Sequence, residues 1–152
     1  KKQNWTIKSQ LSINKNCVFN INMILSNCME ECAELIEIIS EYQLTGHADI
    51  IHLIEEIIDC GICIDWLVYL FGIDMDLIIS QKFIMDKNKI NETPAICINN
   101  ISKAIQYISK CVRKKPNSDK KIYDAISLIF ESNKLLYKLL PILLKIYRKL
   151  KK

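Results

Sequence analysis

Residues 48–71 decide the fold, and they read ADIIHLIEEIIDCGICIDWLVYLF. This segment is apolar on almost every side, which is typical of a helix buried at the centre of a bundle. Thr45-Gly46 before the segment and Gly72 after it are residues that commonly end helices. We therefore expect one long central helix that runs from about Ala48 to Phe71.

Helical spacing of apolar residues continues on both sides of this central segment, and no alternating strand pattern of any length occurs. The fold class that this pattern predicts is all-α, a helical bundle. Helix-start residues and prolines set the expected boundaries of the other helices. The expected helices are Cys17–Leu44, Asp74–Lys87, Pro94–Arg113 with Thr93 as its cap, and a last helix from Ser118 or Asp119 that Pro141 kinks or splits.

Composition indicates a single globular domain over residues 1–152. Half of the residues are hydrophobic, a quarter are charged, and the net charge is only +4. The basic clusters lie where helix ends and loops are expected, so we predict no nucleic-acid partner. No secretory signal is visible, and the longest apolar run is interrupted by Asp59 and Asp65, so we expect a cytoplasmic protein without a membrane span.

The seven cysteines do not form a metal-binding pattern. They are odd in number and scattered, and four of them (Cys28, Cys32, Cys60 and Cys63) fall on apolar faces of the expected helices. A thiol in such a place packs as a small hydrophobic group. We interpret these residues as reduced core cysteines, and we interpret His47 and His52 as ordinary helix-start or surface residues.

Four carboxylates form two pairs with i, i+3 spacing, Glu31 with Glu34 and Glu56 with Asp59. On a helix each pair projects from nearly one side. Both pairs lie in strongly apolar segments, where a carboxylate must be protonated, paired or bound to a cation. Two adjacent helices would thus offer a pocket of oxygen ligands for a hard divalent ion. A solvated acidic stripe and lysine-paired acids at an interface are the structural alternatives.

A weak internal repeat relates the two halves of the chain. A displacement of 69 residues aligns Glu34–Ser40 with Lys103–Ser109, although isoleucine-rich helices also align by chance. We expect an acidic half over residues 17–91 and a degenerate second half over residues 94–152. The four acids then correspond to Asn100, Lys103, Ala125 and Leu128.

The acidic pairs also carry a resemblance to a known superfamily. Glu30-Glu31-Cys32-Ala33-Glu34-Leu35 followed by Glu55-Glu56-Ile57-Ile58-Asp59 resembles the all-α nucleoside triphosphate pyrophosphatases, which include MazG-like proteins and dimeric dUTPases. Their signature is E-x-x-E followed by E-x-x-D on adjacent antiparallel helices. Met85-Asp86-Lys87-Asn88-Lys89 is similar to the M-E-K-N-K stretch of MazG-like sequences. Asn91 stands where that family often has an arginine.

The resemblance implies an enzyme that hydrolyses a nucleoside triphosphate to its monophosphate and pyrophosphate, with Mg²⁺ as cofactor and Mn²⁺ as a substitute. Its specificity would be dUTPase-like or directed to non-standard or surplus nucleotides. Glu34 would orient or deprotonate the attacking water. The implied metal ligands are Glu31, Glu34, Glu56 and Asp59, and the implied phosphate contacts are Lys82, Lys87, Asn88 and Lys89. Trp5, Asn20, Asn22 and Asn27 are candidates for a base pocket or for core and loop roles.

Other classes of function remain open at the level of sequence. The acids could belong to a non-catalytic helical interaction module that binds a cation or a partner. Leu136–Lys152, with its mixture of apolar and basic residues, could instead act at a membrane surface. The central helix and the C-terminal Leu/Ile segment offer more apolar surface than one small bundle buries, so we expect a homodimer or a higher homo-oligomer.

Overall fold

The computed structural model describes residues 21–47, 49–80 and 91–151, and over these ranges the chain forms helices and turns without a strand. The predicted all-α helical bundle is confirmed. None of the described helices is both long enough and apolar enough to cross a membrane. The helices are α1 (Ile21–Thr45), α2 (Ile50–Phe71), α3 (Met75–Ile79), α4 (Thr93–Val112) and α5 (Ser118–Leu150).

Helix α2 is the central helix that residues 48–71 predict. Asp49 caps its first turn, because the Asp49 side chain accepts a hydrogen bond from the backbone N–H of His52 at 3.1 Å. Gly72 ends the helix in the left-handed conformation, with φ of 62°. Such a conformation is costly for residues with a Cβ atom, so a glycine is the favoured residue at this place.

Helices α1 and α2 form an antiparallel pair, which we call the first hairpin. The thiol of Cys28 lies 4.0 Å from the carbonyl oxygen of Cys63, and the thiol of Cys60 lies 3.6 Å from the carbonyl oxygen of Glu31. A residue early in α1 thus faces a residue late in α2. The short connection over residues 46–49 is typical of such a pair.

Helices α4 and α5 form the second hairpin, and the two hairpins pack into one bundle. Helix α1 contacts α4 and helix α2 contacts α5, so each helix has a neighbour in both hairpins. One side chain that joins the hairpins is Asn133, whose Nδ2 donates to the carbonyl oxygen of Ile57 at 3.3 Å. The core between them is formed by fully buried aliphatic side chains, among them Leu25, Leu35, Ile57, Leu67, Ile101, Ile126, Ile129 and Leu136.

The two hairpins share one pattern of burial when the chain is displaced by 69 residues. The contact of the Cys28 thiol with the Cys63 carbonyl recurs as a contact of the Cys97 thiol with the Ser132 carbonyl, at 3.6 Å. Buried positions follow the same displacement. Ile24, Cys28, Cys32, Leu35 and Ile39 correspond to Thr93, Cys97, Ile101, Ala104 and Ile108, and Leu53, Glu56, Ile57, Cys60 and Leu67 correspond to Ile122, Ala125, Ile126, Ile129 and Leu136.

Two details of the second hairpin differ from the expectation. Thr93 is not a cap but the first residue of α4, and it is only 2% exposed. Helix α5 starts at Ser118 as expected but is not split by Pro141. Pro141 has no N–H group to donate to the carbonyl oxygen of Tyr137, four residues earlier. Both residues lie on the exposed side of α5, so water can hydrate that carbonyl instead.

Parts of the expected helices lie outside the described residues. Helix α3 follows an Asp74 cap, as expected, and its described part ends at Ile79. The rest of that expected helix, to Lys87, falls within residues 81–90. The start of the first expected helix, residues 17–20, is likewise outside the described ranges.

Candidate metal centre

Three carboxylates from the two helices of the first hairpin meet at one place. One oxygen from each of Glu31, Glu56 and Asp59 lies within 4.8 Å of the others. Glu56 and Asp59 project from one side of α2 because they are three residues apart. Glu31 reaches them from α1, at a level where its backbone carbonyl accepts from the Cys60 thiol at 3.6 Å. We call these three residues the acidic group.

Glu34 lies beside the acidic group but is not one of its three members. Burial is the main cause that raises the pKa of Glu31 and of Glu56, and the nearby charge of Glu34 adds to it in both cases. Glu34 therefore neighbours two of the three members of the acidic group.

Glu56 is the buried member of the acidic group, whereas Glu31 and Asp59 are partly exposed. Glu56 is only 6% exposed, and the Oε2 atoms of Glu31 and Glu56 are buried without a hydrogen-bond partner among the described residues. Burial raises the pKa of the Glu31 carboxyl to about 7, and the charges of Asp59, Glu34 and Glu56 add to this effect. Burial followed by the charges of Glu34 and Asp59 likewise raises the pKa of Glu56.

His52 contacts the acidic group from the first turn of α2. Its Nε2 atom lies 3.2 Å from Oε1 of Glu56, and its side chain is about half exposed. The proximity of a positive charge at His52 opposes the rise in the pKa of Glu56. Interpretation of His52 as an ordinary surface residue misses this contact. Its sequence signal is the i, i+4 spacing of His52 and Glu56.

The donor set of the acidic group suits a hard divalent cation. Carboxylate oxygens are typical ligands of such ions. Residues 21–80 contain no Lys or Arg that could neutralise them. A thiol is not an equivalent ligand here, because hydrogen bonds with Cys32 and Cys28, together with burial, raise the pKa values of Cys60 and Cys63 and keep both thiols protonated.

A cavity of about 290 Å³ adjoins the acidic group, and Glu31 and Asp59 are part of its wall. The rest of the wall is mainly apolar and includes the ring of Trp66. Asn27, a candidate for a base pocket, lines this cavity, whereas Asn22 does not, and Trp5 and Asn20 lie outside the described residues. Trp66 was not expected here. The other lining residues are Met23, Ile24, Cys28, Ile62 and Cys63.

A larger cavity, of about 450 Å³, lies between the α1–α2 turn and the end of α5. Glu41, His47 and Asp49 line one wall, and Tyr147 and Lys151 belong to the other. It shares no residue with the acidic group. Its size alone therefore does not make it the better candidate for chemistry, because the close carboxylates are elsewhere.

The expected phosphate contacts Lys82, Lys87, Asn88 and Lys89 lie outside the described residues. Comparison of the chain with protein-family models, with curated proteins and with solved structures finds no significant match.

Proposed function

We propose that this protein is a nucleoside triphosphate pyrophosphohydrolase that uses a divalent cation, Mg²⁺ by preference and Mn²⁺ as a substitute. The observation that carries the proposal is the convergence of the Glu31, Glu56 and Asp59 oxygens within 4.8 Å of one another. The resemblance of the E-x-x-E and E-x-x-D pairs to the all-α pyrophosphatases supports the same reaction.

The roles of the acids follow from their positions. Glu31, Glu56 and Asp59 would hold the cation, which would supply positive charge to offset the negative charge that develops on the phosphates. Glu34 would orient the attacking water and accept its proton, because it lies next to two of the three ligands. Glu34 would also be free to act as a fourth ligand, as the resemblance implies.

The cavity beside the acidic group supports a nucleotide as the substrate. Its apolar wall and the Trp66 ring can accept a planar base, and Asn27 can donate or accept hydrogen bonds at the edge of that base. The triphosphate of such a nucleotide would then lie beside Glu31 and Asp59, which line the same cavity. We propose that Lys82, Lys87, Asn88 and Lys89 hold the outer phosphates.

The alternative, a non-catalytic interaction module that binds a cation, is favoured by one observation. Residues 21–80 contain no Lys or Arg, so the described part of the first hairpin has no cationic side chain of that kind to hold a triphosphate. A module needs only the cation, whereas an enzyme needs additional phosphate contacts. The two functions therefore differ in whether a nucleotide is turned over.

Pyrophosphate release from a panel of deoxynucleoside triphosphates, with Mg²⁺ or with a chelator, tests the proposal. We expect release that requires the metal and falls at least about 100-fold in Glu56→Gln and in Asp59→Asn. Glu30→Gln and Glu55→Gln are matched controls, because each is an exposed glutamate next to a member of the acidic group. The controls should keep the activity of the unmodified chain.

Two results would contradict the enzyme. Release that persists in folded Glu56→Gln and Asp59→Asn variants would show that the acidic group is not the site of the reaction. Metal binding without turnover of any nucleotide in the panel would support the interaction module instead. Circular dichroism of each variant confirms that the helical fold is retained.

A further inference from the structure

The side chain of His52 contacts that of Glu56 on the same helix, α2. The two residues are four positions apart, which brings Nε2 of His52 within 3.2 Å of Oε1 of Glu56. The backbone of His52 is itself fixed, because its N–H donates to the Asp49 side chain that caps the helix. The Asp49 cap therefore fixes the helical turn from which the imidazole extends to Glu56.

The two oxygens of Glu56 have different surroundings. Oε1 faces the imidazole, whereas Oε2 is buried and has no hydrogen-bond partner among the described residues. A carboxylate that accepts a hydrogen bond through one oxygen keeps the other oxygen for a cation. A contact at Oε1 also restricts the rotation of the carboxylate and so favours one direction for Oε2.

His52 does not belong to the group of close ligand atoms, which consists of Glu31, Glu56 and Asp59. It therefore contacts a ligand rather than the place where the oxygens converge. Outer contacts of this kind orient the ligands of metal sites and affect how tightly the ion is bound. A neutral imidazole suffices, since an Nε2–H group donates a hydrogen bond without a positive charge.

We propose that His52 is a positioning residue, which donates Nε2–H to Oε1 of Glu56 and directs Oε2 of Glu56 to a cation shared with Glu31 and Asp59. This inference rests on the proposed role of the acidic group as a metal centre. It adds His52, which is not one of the four acidic positions of the E-x-x-E and E-x-x-D pairs. An ordinary pair on a helix surface would leave metal affinity unchanged.

The test is the affinity of the full chain for Mn²⁺, measured by the electron paramagnetic resonance of the free ion. We expect His52→Leu to weaken Mn²⁺ binding by about 10- to 100-fold. His52→Gln keeps a side-chain N–H donor and should recover part of the loss. His47→Leu is the matched control, because His47 is exposed in the α1–α2 turn and lines the other cavity.

Kinetics add a second measurement. If His52 only positions Glu56, kcat of His52→Leu at saturating Mn²⁺ should return close to that of the unmodified chain, while the Mn²⁺ concentration for half activity rises. Thermal melting with a chelator verifies that each variant is folded. His52 is about half exposed, so its replacement leaves the core intact.

The outcomes separate this inference from the proposed function. Equal Mn²⁺ affinity in the unmodified chain and in His52→Leu overturns the positioning role alone. A loss of affinity in His47→Leu as large as in His52→Leu also overturns it. An unmodified chain that binds no Mn²⁺ overturns the metal centre, and this inference with it.

Discussion

Glu31 is a residue whose protonation affects the stability of the fold and would compete with cation binding. Its pKa in the folded chain is raised from 4.5 to about 7, and the pKa of Glu56 is raised as well. The folded chain therefore holds more protons on these groups than the unfolded chain does, at pH values between these two figures. By linkage, the free energy of unfolding falls as the pH rises through that interval.

We predict that the metal-free chain melts at a lower temperature at a pH above 7 than at a pH near 5. Added Mg²⁺ or Mn²⁺ should reduce this difference, because the cation takes the place of the proton. Differential scanning calorimetry with and without a chelator measures the effect. Glu31→Gln is the control and should show a weaker pH dependence. A melting temperature that rises with pH in the metal-free chain would contradict the raised pKa values.

At the scale of the helix, two glycines of α2 have opposite roles. Gly72 ends the helix at a φ of 62°, whereas Gly61 lies in the helix interior. A Cβ atom added at either position would meet no atom within 4 Å, so packing does not distinguish the two substitutions. Only the backbone conformation does.

We predict that Gly61→Ala raises the free energy of unfolding by about 0.5–1 kcal/mol, because alanine is the better residue inside a helix. Gly72→Ala should lower it by about 1 kcal/mol, because alanine is strained in the left-handed conformation. Denaturation with urea measures both changes in chains that are otherwise identical. A loss of stability in Gly61→Ala would contradict the prediction.

Helix positions follow from the sequence because apolar spacing and end signals are local. Gly72, Asp74 and Ser118 all act within one turn, and the boundaries that depend on them are close to those observed. The register between α1 and α2 does not follow from such local signals. It depends on how the thiols of Cys28 and Cys60 pack against the opposite backbone, which no local pattern reveals.

The candidate site could be predicted in part for the same reason. The spacing of Glu56 and Asp59 shows that they share a side of α2, and the resemblance adds Glu31 from α1. Exclusion of Glu34 from the three closest oxygens depends on side-chain directions between two helices. The position of Trp66 beside the acidic group likewise depends on packing, because an aromatic residue in an apolar helix fits the core equally well.

At the scale of the whole molecule, one side of α2 carries three exposed isoleucines, beside the exposed carboxylates Glu55 and Asp65. Ile51, Ile58 and Ile62 lie on one side of α2 and are 71%, 49% and 49% exposed. Their spacing of seven and four residues places them in a single stripe along the helix. A second copy of the chain is the partner that we expect on this stripe.

We predict a homodimer that loses its stability when Ile51 and Ile58 are both replaced by lysine. Apolar contacts are not screened by salt, so the dimer of the unmodified chain should persist at about 0.5 M NaCl. Sedimentation velocity measures the oligomeric state. Leu44→Lys is the control, because Leu44 is 87% exposed but lies at the end of α1. A chain that sediments as a monomer at every concentration would contradict the prediction.

The two hairpins also differ in charge over the whole molecule. Residues 21–80 carry 12 Asp and Glu and no Lys or Arg, whereas residues 91–151 carry 13 Lys and Arg and 4 Asp and Glu. The formal charges are thus −12 and +9. Their shared burial pattern leads us to propose that the second hairpin is a degenerate copy of the first, in which Asn100, Ala125 and Leu128 replaced the acids.

A displacement of 69 residues that preserves burial but not charge has an evolutionary consequence. In a bundle assembled from two identical subunits, symmetry applies every substitution twice, so neither subunit can become acidic while the other becomes basic. Once two hairpins are encoded in tandem, each drifts under its own selection. On the proposed duplication, the fused chain could then concentrate its carboxylates in one hairpin and its lysines in the other, a polarity that a symmetric ancestor was unable to acquire.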